Sequence, residues 1–144
     1  MKTPYFLFAI LLGLIISCGD STPQEAVDFN QKMKETIAIH DEVMPEMGKI
    51  NQLMSKLETQ MDSTNVEQYK PAVENLKIAH DKMMSWMRSF GDEFSRTEIN
   101  QGIQLKNVDS LKQRLKALDK SFQEAEDMQN HIQEAIKNAE DLLK

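Results

Sequence analysis

The chain has 144 residues, of which 40% are hydrophobic and 28% charged, as expected for one globular domain. Its 17 Lys and Arg against 23 Asp and Glu give a net charge of −6, which argues against binding nucleic acid, because phosphate binding needs clustered cations. With 5 Gly and 4 Pro it is short of the turns that an all-β fold requires. Its single cysteine excludes an intramolecular disulfide and a zinc site built from cysteines alone.

The first eighteen residues combine a positive charge, a short apolar run and the single cysteine of the chain. Lys2 supplies a positive charge, and the apolar run from Phe6 to Ile16 is shorter than the roughly 20 residues of a membrane span. Ile15-Ile16-Ser17-Cys18 resembles the lipobox, in which the residue after the cleavage site is a cysteine that becomes diacylated. We expect residues 1–17 to be removed and acyl chains on Cys18 to hold the protein in a membrane. The alternative is an ordinary signal peptide with an incidental cysteine.

This interpretation predicts a place in the cell. The protein is expected in a bacterial envelope, at the outer membrane and facing the periplasm, with Cys18 and a short tether to residue 22 joining it to the lipid. Residues 23–144 form the helical part of the chain.

The predicted first helix spans residues 23–62. A capping box of Thr22 and Glu25, with Pro23 at the first helical position, starts it. Pro45 lies inside the helix and predicts a kink near residues 41–45. The apolar seam advances by threes and fours, as in helices that pack against partners: Ala26, Phe29, Met33, Ile37, His40, Val43, Met47, Ile50, Met54, Leu57 and Met61.

Two more helices follow. A second capping box, Thr64 with Glu67, starts a helix over 66–90, or to about 100 if it continues through Gly91. Its seam is Tyr69, Val73, Leu76, His80, Met83, Met87, Phe90 and Phe94. A third box, Ser95 with Glu98, predicts a short helix before Gly102. The last helix, 105–143, has the most regular seam: Val108, Leu111, Leu115, Leu118, Phe122, Ala125, Gln129, Ile132, Ile136, Ala139 and Leu143.

Helices of this length predict an all-α fold. We expect an elongated up-down-up three-helix bundle with heptad, coiled-coil-like packing, in which the third helix runs parallel to the first. Such a bundle buries its seams and encloses no large pocket of the kind that enzymes use.

An internal repeat carries the one chemical signal in the sequence. The pattern His-Asp-x-x-Met-x-x-Met begins at His40 and again at His80. Histidine and methionine are ligands that Cu(I) favours, so a copper site is a hypothesis, with these candidate ligands: His80, Met47, Met83, Met84, His40 and Met44. An antiparallel pairing about a turn near residue 65 separates the two histidines by roughly 15 Å, too far for one ion. The competing interpretation is that these side chains fill the core, where methionine is common.

The two copies of the repeat also carry a resemblance. Residues 40–48 and 83–90, behind a lipobox, resemble a group of small Bacteroidota lipoproteins that often bear the label "viral A-type inclusion protein". The resemblance implies lipoprotein character and a helical fold. It brings no catalytic residues with it.

No catalytic motif appears in the sequence. Glycine-rich phosphate loops, His-Glu-x-x-His and Glu-x-x-His are all missing. We therefore expect a lipid-anchored helical interaction module rather than an enzyme, with another envelope protein or a second copy as its partner. The alternative is a carrier of a metal or small ligand. Trp86 and Phe90 are expected in the core, or form an interaction patch if exposed, and His131 is expected to be exposed.

Overall fold

The computed structural model describes residues 22–144, so the predicted signal peptide and Cys18 lie outside the described residues. Within them the chain forms α1 (Gln24–Val43), α2 (Glu46–Gln60), α3 (Val66–Glu93), α4 (Arg96–Gln101) and α5 (Val108–Leu142). No strand occurs in residues 22–144, which confirms the all-α prediction. None of the helices in this part of the chain has the length and apolar character needed to cross a membrane.

The predicted first helix is divided at Pro45 into α1 and α2. Proline has no amide hydrogen and its ring crowds the preceding turn, so the regular hydrogen bonding stops there. Met44 and Pro45 nevertheless keep helical dihedral angles, with φ −55° and ψ −41° at Met44 and φ −62° and ψ −26° at Pro45. The chain therefore continues in the same general direction after a local break, as the predicted kink required.

Only one of the three predicted capping boxes forms. Ser95 Oγ accepts from the Glu98 amide at 3.2 Å, and Glu98 Oε2 accepts from the Ser95 amide at 2.9 Å, which starts α4. The predictions at Thr22 and Thr64 are wrong, because α1 begins after Pro23 and α3 after Asn65 without a side-chain cap. In the turn before α3, the Asp62 carboxylate accepts from the Thr64 amide instead.

Polar contacts between helices establish the topology. Lys32 on α1 pairs with Asp119 on α5, and Glu25 with Lys112, so these two helices run parallel. The Trp86 indole donates to the Ser121 carbonyl at 3.0 Å, and the Tyr69 hydroxyl donates to the Leu142 carbonyl at 3.1 Å. From Tyr69 to Trp86 the residue number in α3 rises, while that of the partner in α5 falls from 142 to 121. The two helices are therefore antiparallel. The arrangement is up-down-up, and the 35 residues of α5 span about 52 Å.

The buried side chains follow the predicted seams with small shifts in register. In α5, Ser121, Met128 and Ala135 are buried, whereas Val108 at the start of the predicted seam is 39% exposed. A straight helix has 3.6 residues per turn, so a strict 3.5-residue seam drifts around its surface and neighbouring positions replace it. The fully buried large side chains are Phe29, Phe94, Met33, Ile50, Leu57, Leu76, Met83, Leu111, Leu118, Met128, Ile132 and Val43.

Candidate functional site

A cavity of about 360 Å³ opens between α1, α3 and α4. We call it the aromatic cavity, and its lining residues are Ile37, His40, Asp41, Trp86, Met87, Phe90, Gly91 and Ile99. Six of these eight carry apolar side chains or none, so the walls are mainly apolar. The prediction that the bundle encloses no large pocket did not anticipate this space, which forms where α1 and α3 are bridged by rings rather than by close backbone contact.

The bridge between α1 and α3 is a continuous series of rings. The His40 and Trp86 ring centroids are 5.8 Å apart, those of Trp86 and Phe90 4.8 Å, and those of Phe90 and Phe94 5.0 Å. Phe29 on α1 closes the series, 6.1 Å from Phe94. Offset and tilted rings at these distances attract one another beyond the burial of their area. They hold the two helices at a spacing that leaves the cavity open.

Gly91 removes a side chain from the cavity wall. It lies within α3, where glycine is less favourable than alanine by roughly 0.5–1 kcal/mol. A Cβ built on Gly91 has no atom within 4 Å beyond its neighbours, so no steric contact requires glycine there. The effect of this residue is to leave the space beside Phe90 unfilled.

The imidazole of His40 lines the cavity, together with the neighbouring Asp41. Its Nδ1 lies 3.0 Å from Oδ1 of Asp41, and a carboxylate oxygen can only accept, so Nδ1 carries the hydrogen. Nε2 then presents a lone pair. That nitrogen is buried and has no hydrogen-bond partner in the part of the chain that the structure describes. A buried acceptor without a partner is uncommon, and a ligand with an N–H or O–H group, or a metal ion, would satisfy it.

The end of the cavity beside α4 is held by Arg114. Its guanidinium donates to Glu98 Oε1 at 2.9 Å, to Glu93 Oε1 at 2.7 Å and to the Glu93 carbonyl at 2.9 Å. It also lies over the Phe94 ring, 4.8 Å from the centroid. These contacts join α3, α4 and α5. Since α4 carries Ile99, they position one wall of the cavity.

The contacts where α3, α4 and α5 meet favour the ionised form of Glu98. Partial burial would raise the pKa of its carboxyl, but hydrogen bonds from Ser95 and Arg114 outweigh that effect, and the pKa is lowered from 4.5. Glu98 therefore remains a charged partner of Arg114 well into the acidic range.

The predicted copper ligands do not form one cluster of exposed side chains. Met83 is fully buried while its neighbour Met84 is 47% exposed, because successive residues of a helix point in different directions. Met47 and His80 are half-buried, and Met44 is 47% exposed. His40 instead shares the aromatic cavity with Met87, the last methionine of the second repeat, which was not among the candidate ligands. Residues 22–144 contain no group of three or more His, Cys, Asp or Glu side chains that could hold a metal ion.

Trp86 and Phe90 lie in the core, as expected, whereas the predicted exposure of His131 is wrong. Trp86 and Phe90 are 6% and 7% exposed, so they are core residues and cavity walls rather than a surface patch. His131 is half-buried, and its Nε2 is enclosed without a hydrogen-bond partner, because the register shift in α5 brings it towards the buried side. Ile37, Met87 and Ile99 were missed as site residues, since apolar side chains on a seam carry no signal of a cavity. Gly91, a helix-weakening residue inside a helix, was the available signal.

No family model matches the chain, and no curated protein or solved structure is significantly similar to it.

Proposed function

We propose that this protein is a lipid-anchored binding module of a bacterial envelope, which holds an apolar group of its ligand in the aromatic cavity. The anchoring is supported by the lipobox ending at Cys18. The binding role is supported by the cavity itself, which is the observation that carries the proposal.

Three properties of the cavity favour a binding role. Its volume of about 360 Å³ lies at the lower end of the range for small-molecule sites, roughly 300–1,000 Å³. Its rings are fixed, because the Trp86 indole is held by its bond to Ser121 and by stacking on Phe90. It combines apolar walls with one unpartnered acceptor, Nε2 of His40. A preformed apolar site with few polar groups is the usual form of a ligand pocket.

These properties define the chemistry of the ligand. A flat apolar group would pack against Trp86 and Phe90, and an N–H or O–H group on it would donate to Nε2 of His40. A small aromatic molecule and an aromatic side chain of a partner protein share this chemistry. The two sources are distinguished by experiment.

The first experiment uses N-phenyl-1-naphthylamine, a flat apolar probe with one N–H group. Energy transfer from Trp86, the one tryptophan of the chain, would report its binding next to the indole. We expect Gly91→Leu to abolish the transfer by filling the cavity. Gly48→Leu is the matched control, because Gly48 also lies in a helix with nothing within 4 Å of a built Cβ, but outside the cavity. Equal transfer in both variants would place the probe elsewhere and contradict the proposal.

The second experiment tests the partner protein as the source. A photoreactive amino acid replaces Met87, which lines the cavity and is 37% exposed, in the lipoprotein expressed in its envelope. A cross-linked protein that is lost with Gly91→Leu and retained with Gly48→Leu indicates a partner side chain in the cavity. Probe binding without any such cross-link indicates a small molecule.

A copper carrier is the second candidate. The observation that favours it is the lone pair on Nε2 of His40, oriented by Asp41 as in many metal-binding histidines. Met44 lies one helical turn after His40 and is exposed, and Met87 lines the same cavity, so thioether sulfurs are near. Cu(I) bound at His40 should quench Trp86 fluorescence because the two rings stack. Quenching that survives in His80→Phe and disappears in His40→Phe supports this candidate, and no quenching at micromolar Cu(I) removes it.

A further inference from the structure

One end of the bundle carries exposed apolar side chains. Val27, Leu105 and Val108 are 48%, 43% and 39% exposed, and we call them the apolar end face. They belong to three segments that meet there: the start of α1, the loop between α4 and α5, and the first residue of α5. The residues Thr22, Pro23, Ala26 and 103–106 line one shallow depression, so the loop lies directly against the start of α1.

The loop is held in this position by its hydrogen bonding. The Ile103 amide donates to Oδ1 of Asn30 on α1 at 2.8 Å, and the Ile103 side chain is buried. Gly102 makes the turn possible with a φ of +83°, and its Cα packs so closely on Asn30 that a Cβ would lie 2.6 Å from Oδ1. Ile103 is thus fixed inward, whereas Leu105 in the same loop is exposed.

The opposite end of the bundle has a different surface. The turn between α2 and α3 exposes Asp62, Ser63 and Thr64, which are all polar. Both ends therefore consist of exposed connections between helices, but among residues 22–144 only the end where α1 begins presents exposed large apolar side chains.

The apolar end face is also the part of the structure nearest to the proposed lipid attachment. Three residues lie between Cys18 and Thr22, and the four Cα-to-Cα steps that join them span at most about 14 Å. Acyl chains on Cys18 would keep this end within that distance of the bilayer, which leaves no room for a folded protein between them. The occupant that fits is the lipid surface.

We propose that the apolar end face lies against the membrane, so that Val27, Leu105 and Val108 contact lipid and the bundle stands upright on the bilayer. This inference rests on the lipid anchoring of Cys18 proposed above. Apolar side chains at the headgroup boundary add to the binding that acyl chains provide. His40 lies sixteen residues after the start of α1, so the aromatic cavity would open roughly 24 Å above the membrane, on the aqueous side.

The test places a fluorophore at each end of the acylated full-length protein. Acylation of Cys18 uses its sulfur, so Leu105→Cys provides the free thiol for a bimane label, and Ser63→Cys provides the matched control at the polar end. The protein is reconstituted into phosphatidylethanolamine and phosphatidylglycerol vesicles that contain nitroxide-labelled lipid. We expect at least about twofold quenching at position 105 and none at position 63, because only the first would lie at the headgroups.

A second set of variants examines the side chains themselves. With the label at Val27→Cys, the double substitution Leu105→Glu and Val108→Glu should reduce the quenching. Ile78→Glu, at a position equally exposed at 39% on the side of the bundle, should leave it unchanged. A reduction of equal size in both would show that added charge, not loss of the apolar end face, is responsible, and would overturn the inference.

The possible failures are separable. Protein that does not float with the vesicles contradicts the anchoring and the inference together. Protein that floats, but is quenched equally at positions 105 and 63 or at neither, contradicts the upright orientation alone. Quenching that disappears at one protein per vesicle would assign the apolar end face to a second copy of the chain rather than to lipid.

Discussion

The imidazole of His40 stacks on the indole of Trp86, with ring centroids 5.8 Å apart and planes inclined by 24°. This contact joins α1 to α3 beside the aromatic cavity, and Nε2 of the same His40 ring is buried without a hydrogen-bond partner. A buried polar atom without a partner destabilises a fold by about 1–3 kcal/mol. His40 therefore completes the ring series, but its unpartnered nitrogen makes the fold less stable than an apolar ring at the same position would.

The first prediction follows from that cost. His40→Phe keeps a ring over Trp86 and removes the unsatisfied nitrogen, so we expect the free energy of unfolding to rise by about 1 kcal/mol. Urea unfolding followed by circular dichroism measures it. His80→Phe is the control, because that ring is half-buried with no enclosed, partnerless nitrogen, and its effect should stay within about 0.5 kcal/mol.

The same variant should lose ligand affinity. If Nε2 of His40 accepts from the probe, His40→Phe weakens binding of N-phenyl-1-naphthylamine by roughly tenfold while stabilising the fold. A less stable variant would contradict the stability cost of Nε2, and a variant that binds the probe as tightly as the original protein would contradict its role in ligand binding.

The second prediction compares two glycines. Gly91→Ala should stabilise the protein by about 0.5–1 kcal/mol, because Gly91 is helical and nothing lies within 4 Å of the added Cβ. Gly102→Ala should destabilise it by about 1–3 kcal/mol, because of the positive φ and the contact with Asn30. Thermal unfolding of both variants checks the opposite signs. A Gly102→Ala protein that is as stable as the original would contradict the placement of the 102–107 loop, and a destabilised Gly91→Ala protein would contradict the open space beside Gly91.

The helices could be predicted from sequence because their signals are local. Spacing by threes and fours located α1, α2, α3 and α5, and Ser95 with Glu98 located α4. The other two predicted capping boxes do not form, because the same residue types are equally compatible with a turn. The Asp62 side chain competed for the amides before α3, and Pro23 began α1 without any cap. A local sequence pattern indicates which hydrogen bonds a side chain could make. The conformation of the surrounding backbone determines which of them form.

The aromatic cavity could not be predicted because it depends on distances between helices. The repeat drew attention to His40, which shares the cavity with Phe90. The sequence did not show that rings would hold α1 and α3 apart, or that Gly91 would leave a space. Met83 and Met84 were both candidate copper ligands, yet Met83 is buried and Met84 is exposed.

The third prediction concerns Trp86. Trp86→Phe removes the hydrogen bond from the indole nitrogen to the Ser121 carbonyl. It also leaves empty part of the volume that the indole fills. We expect a loss of about 1–3 kcal/mol in the free energy of unfolding, against less than about 0.5 kcal/mol for Ile78→Ala on the exposed side of α3. Circular dichroism during urea unfolding is suitable, because it does not need the tryptophan signal. Equal effects would mean that Trp86 does not fix the spacing of the helices.

The last prediction is a pH dependence that arises from Arg114 and Glu98. Arg114→Met keeps the length of the side chain but removes the bonds to Glu93 and Glu98, at an expected cost of about 1–2 kcal/mol near neutral pH. Arg88→Met, at an exposed position on α3, is the control and should change stability little.

The sign of the dependence follows from the lowered pKa of Glu98. Its folded-state pKa lies below the ordinary 4.5, so the stability that it contributes is complete above 4.5 and is lost as pH falls through the lower, folded-state value. Removing Arg114 eliminates one cause of that lowering, while the bonds from Ser95 remain. The difference in stability between the original protein and Arg114→Met should therefore be constant from neutral pH to about 4.5 and narrow below it. A difference in stability that stays constant throughout the acidic range would contradict this. It would mean that Arg114 stabilises the junction of α3, α4 and α5 by packing on Phe94 and not through the Glu98 carboxylate.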